Sequence, residues 1–259
     1  RRAQDAVSNL IRGGVERGKM SAEDGEAARS RLEVSQDLAA AARGAKLLIE
    51  TVSENFDIKT KVIATAEPEL ASDAIIATNT SALSVTELAA TARSPEQVIG
   101  MHFFNPVHKM KLVEIVLGLA TDKGVADRIR DYSTRIGKTA ITVNESPGLT
   151  TSRMSALLGN EAMYMLQEGT ASAEDIDTAL RLGFNHPMGP LELGDLTGWD
   201  TRLSVLRYLH RTLGEKFRPC PLIIKMVAAG RVGRKAGWGV YEYRDGQKVP
   251  GSGLKASTL

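Results

Sequence analysis

Cysteine is almost absent: Cys220 stands alone among 259 residues. No intrachain disulfide can form, which is compatible with a reducing compartment. Charge of one sign is also lacking. The formal net charge of +2 gives no global reason to expect nucleic acid as a partner. No apolar run approaches the length needed to cross a bilayer, and the N-terminus carries no signal-peptide h-region. A cytoplasmic location without a membrane partner is the expectation. There is no internal repeat. The four histidines have no zinc-like spacing among themselves or with Cys220, so no metal site is expected. An initiator methionine is missing too, and "RRAQDAVSNLIRGGVERGK" reads as the interior of something longer.

What remains is an ordinary globular composition, 42% hydrophobic and 25% charged. The length exceeds that of a usual single domain, so one large or two ordinary domains are expected. Ala6, Leu10 and Val15 recur at helical spacing near the start, with Gly13 and Gly14 weakening the middle of that helix. Ser21 with Asp24 resembles a helix cap. Short apolar, β-prone runs then alternate with helical ones. "AKLLIETV", "AIIATN", "QVIGMHFF", "KLVEIV" and "TAITV" read as strands. "FDIKTKVIATAEPEL", "SVTEL" (with a Ser84–Glu87 cap) and "VADRIRDYSTRIG" read as helices. Apolar strands alternating with helices predict a parallel sheet covered on both faces. Pro147-Gly148 breaks the pattern and is a candidate hinge. Beyond it the chain reads as helix, including "LELGDLTGWDTRLSVLRYLHRTLG", with Ser172–Asp175 a candidate cap and Gly183 a candidate stop. The tail "RDGQKVPGSGLKASTL" is polar, contains Pro and Gly, and is expected to be loose. The fold class is therefore α/β over residues 1–146 followed by an all-α domain over 147–259.

Chemistry-bearing residues collect after the strands. His102 follows the apolar run "VIGM", near the C-terminal end of a strand, the edge where open α/β sheets bind ligands. An imidazole suits proton transfer near neutral pH, and a carboxylate such as Glu114 can fix its tautomer. Spacing alone leans to the other reading, a structural histidine hydrogen-bonded at a strand end. His108 reads as a solvated loop residue, His186 as a turn residue and His210 as a surface residue. "ATNTSAL" offers Asn79, Thr80 and Ser81 at the same edge, as ligand-holding groups or as helix-entry caps. Glu54 and Lys59 follow an earlier strand, at the top of the sheet or in a solvated first turn.

Taken together, "TNTSALSVTELA", "GMHFFNPVHKMKLVEIV", "ESPGLTTSRM", "EDIDTALRLGFNHPMGPLELGDLTGWD" and "GRKAGWGVYEY" resemble the (3S)-3-hydroxyacyl-CoA dehydrogenase family, in order along essentially the whole chain. The nearest resemblance is to bacterial 3-hydroxybutyryl-CoA dehydrogenases. It implies an NAD-dependent oxidoreductase acting on the 3-hydroxyl of an acyl-CoA, in fatty-acid or aromatic-acid breakdown or butanoate metabolism. By resemblance His102 is the general base, Glu114 the carboxylate that orients it, and Ser81 the hydroxyl that bonds the reacting oxygen and borders the nicotinamide. Glu54, Lys59 and Lys235 match NAD-contacting positions, and Asn105 matches an active-site asparagine. The helical domain is expected to form a homodimer.

Two departures stand out. Where the family has an asparagine after the hinge, this chain has Ser152, which implies a tuned substrate preference. The family also begins with a Rossmann strand, a G-x-G-x-x-G turn and a helix that together cradle the pyrophosphate. Neither Gly13-Gly14 nor Gly230–Gly233 supplies that turn, so the expectation is an N-terminally incomplete Rossmann-type domain with an exposed sheet edge. Arg1, Arg2, Arg12 and Arg17 can meet CoA phosphates or form a solvated basic face. Oxidation of a free 3-hydroxy acid or of carnitine on the same scaffold, and a non-catalytic dimeric scaffold, are the competing readings.

Overall fold

The apolar runs form a five-stranded sheet because β-branched and aliphatic residues fill positions pointing to both faces. A computed structural model describes residues 2–255; Arg1 and residues 256–259, part of the expected loose tail, lie outside the described residues. The chain opens with α1 (Arg2–Glu16), α2 (Ala22–Ser30) and α3 (Leu38–Ala42), then β1 (Leu47–Glu50) and α4 (Phe56–Ala66). After them come β2 (Ile75–Thr78), α5 (Val85–Ala89), β3 (Val98–Phe103), β4 (Leu112–Leu117), α6 (Lys123–Arg135) and β5 (Thr139–Asn144). Strands lie in the order β1-β2-β3-β4-β5. Ile75, Ala77, Ile99, Met101, Val113 and Ile115 pack on Val125, Ala126 and Ile129 of α6. The alternate residues Ile76 and Val98 meet Ile63 of α4 and Ala89 of α5 on the opposite face. Among the described residues β1 and β5 are the edge strands, and Ile49 of β1 is exposed.

The expected parallel sheet holds for β1–β2–β3 and for β4–β5, but β3 and β4 run antiparallel. A strand's period-two pattern carries no direction, and the turn at 104–111 reverses the chain where a parallel pair would need a crossover. The reversal sets His102 directly opposite Glu114.

The second half is helical: α7 (Thr151–Glu168), α8 (Ala173–Gly183), α9 (Pro190–Thr197), α10 (Trp199–Leu213) and α11 (Pro221–Ala228), then a short hairpin of β6 (Tyr243–Arg244) and β7 (Gln247–Lys248). Its core gathers Met163, Leu166, Leu191, Trp199, Leu206 and Ile223. Ser21, Ser84 and Ser172 cap their helices as expected, each accepting the backbone N–H three residues on at 3.0–3.1 Å. Two sequence expectations are corrected. The segment read as one helix breaks at Gly198, whose φ of 95° ends α9 and starts α10. Gly183 is the last residue of α8, a stop where the sequence placed one, with Phe184 in the capping position. The tail is not loose as far as Leu254: Gly253 N donates to Glu174 at 2.8 Å, Leu254 N donates to the Val240 carbonyl, and Leu254 packs on the helical core. Gly13 and Gly14 do not interrupt α1.

Candidate active site

Because β1, β2 and β3 are parallel, the loops after β1 and β2 and the end of β3 meet at one edge of the sheet. Glu50 ends β1 fully inside the protein, where both its oxygens accept from Lys59 Nζ at 3.0 Å and one accepts from Thr78 Oγ1 at 2.7 Å. Lys59 is 0% exposed, which a lysine tolerates only when paired. Its ammonium also lies 3.4 Å from Glu54. Glu54 accepts from Thr80 Oγ1 at 2.6 Å and from the backbone N–H of Ser81 and Ala82, each at 2.9 Å. Burial pushes the Glu54 carboxyl up, but these bonds and Lys59 more than offset it and hold it below its ordinary value. Glu54 and Lys59 therefore fix the loop after β2 and are not a solvated first turn.

That loop aims Ser81. Its Oγ lies 3.0 Å from His102 Nε2, and His102 Nδ1 lies 2.8 Å from Glu114 Oε2. His102 and Glu114 are 6% and 0% exposed. Burial raises the Glu114 carboxyl, and hydrogen bonds from His102 and Thr151 bring it below its ordinary value. An ionised carboxylate only accepts, so Nδ1 carries the proton, and in the neutral ring Nε2 presents its lone pair to the Ser81 hydroxyl. Asn79 accepts from Phe103 N at 2.8 Å and ties β2 to β3, while Thr80 Oγ1 accepts Leu83 N at 2.9 Å as a local cap.

Beside Ser81 opens a cleft of about 690 Å³, within the usual range for a ligand pocket. Its walls are the loop after β2, the end of β4, the linker at 144–149 and Tyr208 of α10, so both halves of the molecule contribute. The linker is pinned there: Glu145 accepts from Thr86 N at 2.9 Å and from the Thr86 hydroxyl, and Glu145 N donates to Leu117 O at 3.0 Å.

Of the residues singled out from the sequence, Glu54, Lys59, Ser81, His102 and Glu114 form one connected network. Ser152 is half-buried on the first turn of α7 and Asn105 is exposed in the turn after β3. Lys235 stands away from the network, paired with Asp200 at 2.6 Å. Arg2 and Arg12 are exposed on α1 and Arg17 in the turn after it, Arg12 reaching Asn9 at 2.8 Å. His210 bonds Glu215 at 2.9 Å on the surface. Sequence reasoning missed Glu50, whose signal is a carboxylate closing an apolar strand. It also missed Thr151, whose backbone and hydroxyl both reach Glu114, at 3.0 and 3.1 Å.

Residues 1–146 match the family model described as 3-hydroxyacyl-CoA dehydrogenase, NAD binding domain, and residues 148–243 match its C-terminal domain. A probable 3-hydroxybutyryl-CoA dehydrogenase of Bacillus subtilis is 44% identical over 232 residues, covering 89% of this chain and 80% of that protein. A 3-hydroxybutyryl-CoA dehydrogenase of Bradyrhizobium diazoefficiens is 43% identical over 205 residues, covering 79% of this chain and 70% of its own length. The crystal structure of (S)-3-hydroxybutyryl-CoA dehydrogenase from Ralstonia eutropha superposes with a TM-score of 0.89 at 39% identity, over 93% of this chain and 85% of that one.

Proposed function

The chain belongs to the 3-hydroxyacyl-CoA dehydrogenase family, and from that premise we propose that it oxidises the 3-hydroxyl of a short-chain 3-hydroxyacyl-CoA to the 3-oxo ester with NAD. The reading rests on the line Ser81–His102–Glu114, a hydroxyl, an imidazole and an ionised carboxylate in sequence beside a cleft. The short chain follows the names of the similar proteins, which specify 3-hydroxybutyryl-CoA.

The residues present fit the reactive end of the cofactor: the cleft is bordered by Ser81 on a loop that Glu54 and Lys59 hold still. Among the described residues no glycine-rich turn joins a strand to a helix; Gly13 and Gly14 lie inside α1. When bound, NAD supplies the acceptor for the hydride that leaves C3. His102 Nε2 takes the proton of the C3 hydroxyl as the carbon–oxygen double bond forms. Glu114 holds the Nδ1–H and stabilises the imidazolium, and Ser81 hydrogen-bonds the reacting oxygen. Ser152 and Asn105 complete the proposed substrate surroundings, while Glu54, Lys59 and Lys235 serve the cofactor side.

The division of labour follows residues 1–146 for the cofactor and 147–259 for substrate and for self-association as a homodimer. Exposed Met154 and Leu157 on α7, with Leu182 and Phe184 at the end of α8, supply apolar surface for a second copy. Light scattering that gives the monomer mass at assay concentration would remove the dimer. No described helix is long and apolar enough to cross a membrane, and a cytoplasmic site of action is part of the proposal.

The test is NADH formation from (3S)-3-hydroxybutyryl-CoA, free 3-hydroxybutyrate and carnitine, with NAD affinity from calorimetry. Turnover of the ester alone is expected. Turnover of a free acid without the ester, or no NAD binding, sinks the reading.

A further inference from the structure

Glu114 does more than face His102. Among the described residues it is the carboxylate that joins the helical half to the His102 imidazole. Oε1 accepts the backbone N–H of Thr150 at 3.3 Å and of Thr151 at 3.0 Å. Oε2, the oxygen that takes His102 Nδ1 at 2.8 Å, also accepts the Thr151 hydroxyl at 3.1 Å. Two donors from different halves of the molecule thus share one oxygen. The seat of α7 is not incidental, since Glu145 fastens the preceding linker to the sheet through Thr86 and Leu117.

We infer that Thr151 is a positioning residue that sets how strongly Glu114 holds the His102 proton, so that the base is tuned only while the helical half is docked on the sheet. The inference rests on the reaction proposed above. A hydroxyl that donates to a carboxylate oxygen withdraws part of its charge from any other donor on that oxygen. With Thr151 in place, Glu114 stabilises the imidazolium less, and the neutral imidazole persists to lower pH. Without the hydroxyl the same oxygen grips the Nδ1 proton harder, and the base is lost at higher pH.

Among the described residues no other charge competes for this role. On β3 the group facing Glu114 is His102, its sole ion-pair partner among the described residues. Across β5 the register places apolar Ile141. From the loop after β2 comes Ser81 with Glu54, itself tied to Lys59. From α7, Arg153 turns to Ser146 and the Phe217 ring. Lys138 is occupied by the Val107 and Met110 carbonyls. The opposite face, under α6, is apolar.

Thr151→Val removes the hydroxyl, keeps the volume and keeps both backbone donors. NMR titration of the four histidine rings in the unliganded chain reads the effect directly, with His102→Gln assigning the signal. The midpoint of His102 should rise by about half a pH unit, a roughly threefold change in proton affinity, while His108, His186 and His210 stay put. The acid limb of kcat/KM for 3-hydroxybutyryl-CoA at saturating NAD should move up equally, with KM within about twofold. Thr151→Ser should match the parent. Thr151→Ala is a second hydroxyl deletion should valine disturb the helix start, and it should shift the midpoint in the same direction. Superimposable titrations for the parent and both deletions overturn the inference. A parent that titrates normally but does not oxidise the ester sinks the proposed reaction alone, because the titration needs neither substrate nor cofactor.

Discussion

Glu114 in the sheet and Asp195 in α9 are both 0% exposed, yet burial leaves them on opposite sides of their ordinary values. Burial pushes each carboxyl up, and hydrogen bonds pull each back. Glu114 ends low and Asp195 ends high. The number of donors does not decide it. Asp195 accepts from Trp199 Nε1 at 2.6 Å, Val240 N at 2.8 Å, Tyr241 N at 2.9 Å and Tyr243 OH at 3.2 Å. Glu114 has a similar set, but one of its donors is an imidazole that can carry positive charge. Glu54 beside Lys59 repeats the first case, and Asp177, bonded by two backbone amides and Tyr241, repeats the second. A buried carboxylate keeps its charge when a donor that can be cationic bonds or pairs with it directly, and is pressed toward neutrality when every donor is neutral, at Asp177 even with the attraction of Lys248. The sheet half thereby holds charge beside the cleft, and the helical half uses carboxylates as staples for the chain's end. A Cβ on Gly239 would lie 2.0 Å from Asp195 Oδ1, so the stapled segment approaches as closely as backbone allows.

The sharpest way to break this comparison is His102→Gln. It removes the one donor on Glu114 that can take up positive charge and makes its surroundings resemble those of Asp195. The rate of ester oxidation should fall by about 10³, within the range for a lost general base, and the Glu114 carboxyl should now titrate above 4.5, its ordinary value. Carboxyl-carbon NMR against pH reads the second effect even where no activity is left. A rate within tenfold of the parent, or a Glu114 that still titrates low, contradicts the cation account.

The converse change is Asp195→Asn. An amide turns an N–H₂ toward donors that need an acceptor, so two of the four bonds are lost in a dry site. The expected cost is about 3 kcal/mol of unfolding free energy, measured in urea, with kcat per folded molecule unchanged. Loss of turnover without loss of stability would show that the staple reaches the site.

Acid separates the halves more gently. Glu54 and Glu114 have lowered folded values, so their contribution is present above 4.5 and is lost as the pH falls through those values. Asp177 and Asp195 have raised folded values, so their contribution is present below 3.8 and is lost as the pH rises through them. Lowering the pH therefore loosens the seam between β4 and α7 while it relieves the staples. Hydrogen exchange should show the amides of Thr150 and Thr151 losing about 1 kcal/mol of protection before those of Val240 and Tyr241. Simultaneous loss would mean that the two halves share one acid response.

How much of this the residues announce depends on range. The serine caps follow from a local rule, a side chain three residues from an amide, whereas spacing alone left His102 as a structural histidine at a strand end. The family resemblance then assigned roles that spacing could not. The direction of β4 was hidden, because alternation is the same whichever way a strand runs. Lys59 looked as much like a first-turn surface residue as a buried ion, since its partner Glu50 lies on the preceding strand. Thr151 stood beside Ser152, the position that drew attention, and only the docking of α7 shows which hydroxyl meets Glu114. The tail reads as loose because its own composition is polar; what holds it are Glu174, which accepts from Gly253 N, Glu192, which takes Lys248, and the helical core under Leu254, all elsewhere in the sequence.

Asp200 and Lys235 offer the mildest test of the comparison, because they put the cation rule at the surface. Burial nudges Asp200 up, but its hydrogen bond and attraction to Lys235 bring it below its ordinary value, as with Glu114. Here, however, the two side chains are 41% and 53% exposed, and water screens what the interior would amplify. Such a pair contributes less than about 1 kcal/mol, so Lys235→Met should leave the melting temperature nearly unchanged. If this lysine also serves the cofactor side, as proposed, KM for NAD should rise by about threefold, the worth of one exposed charge, while KM for the acyl-CoA stays constant. A rise in the acyl-CoA KM alone would move Lys235 to the substrate side. Constant values for both would confine it to its bond with Asp200, and a melting temperature that dropped steeply would mean that exposure is a poor guide to where a cation matters in this fold.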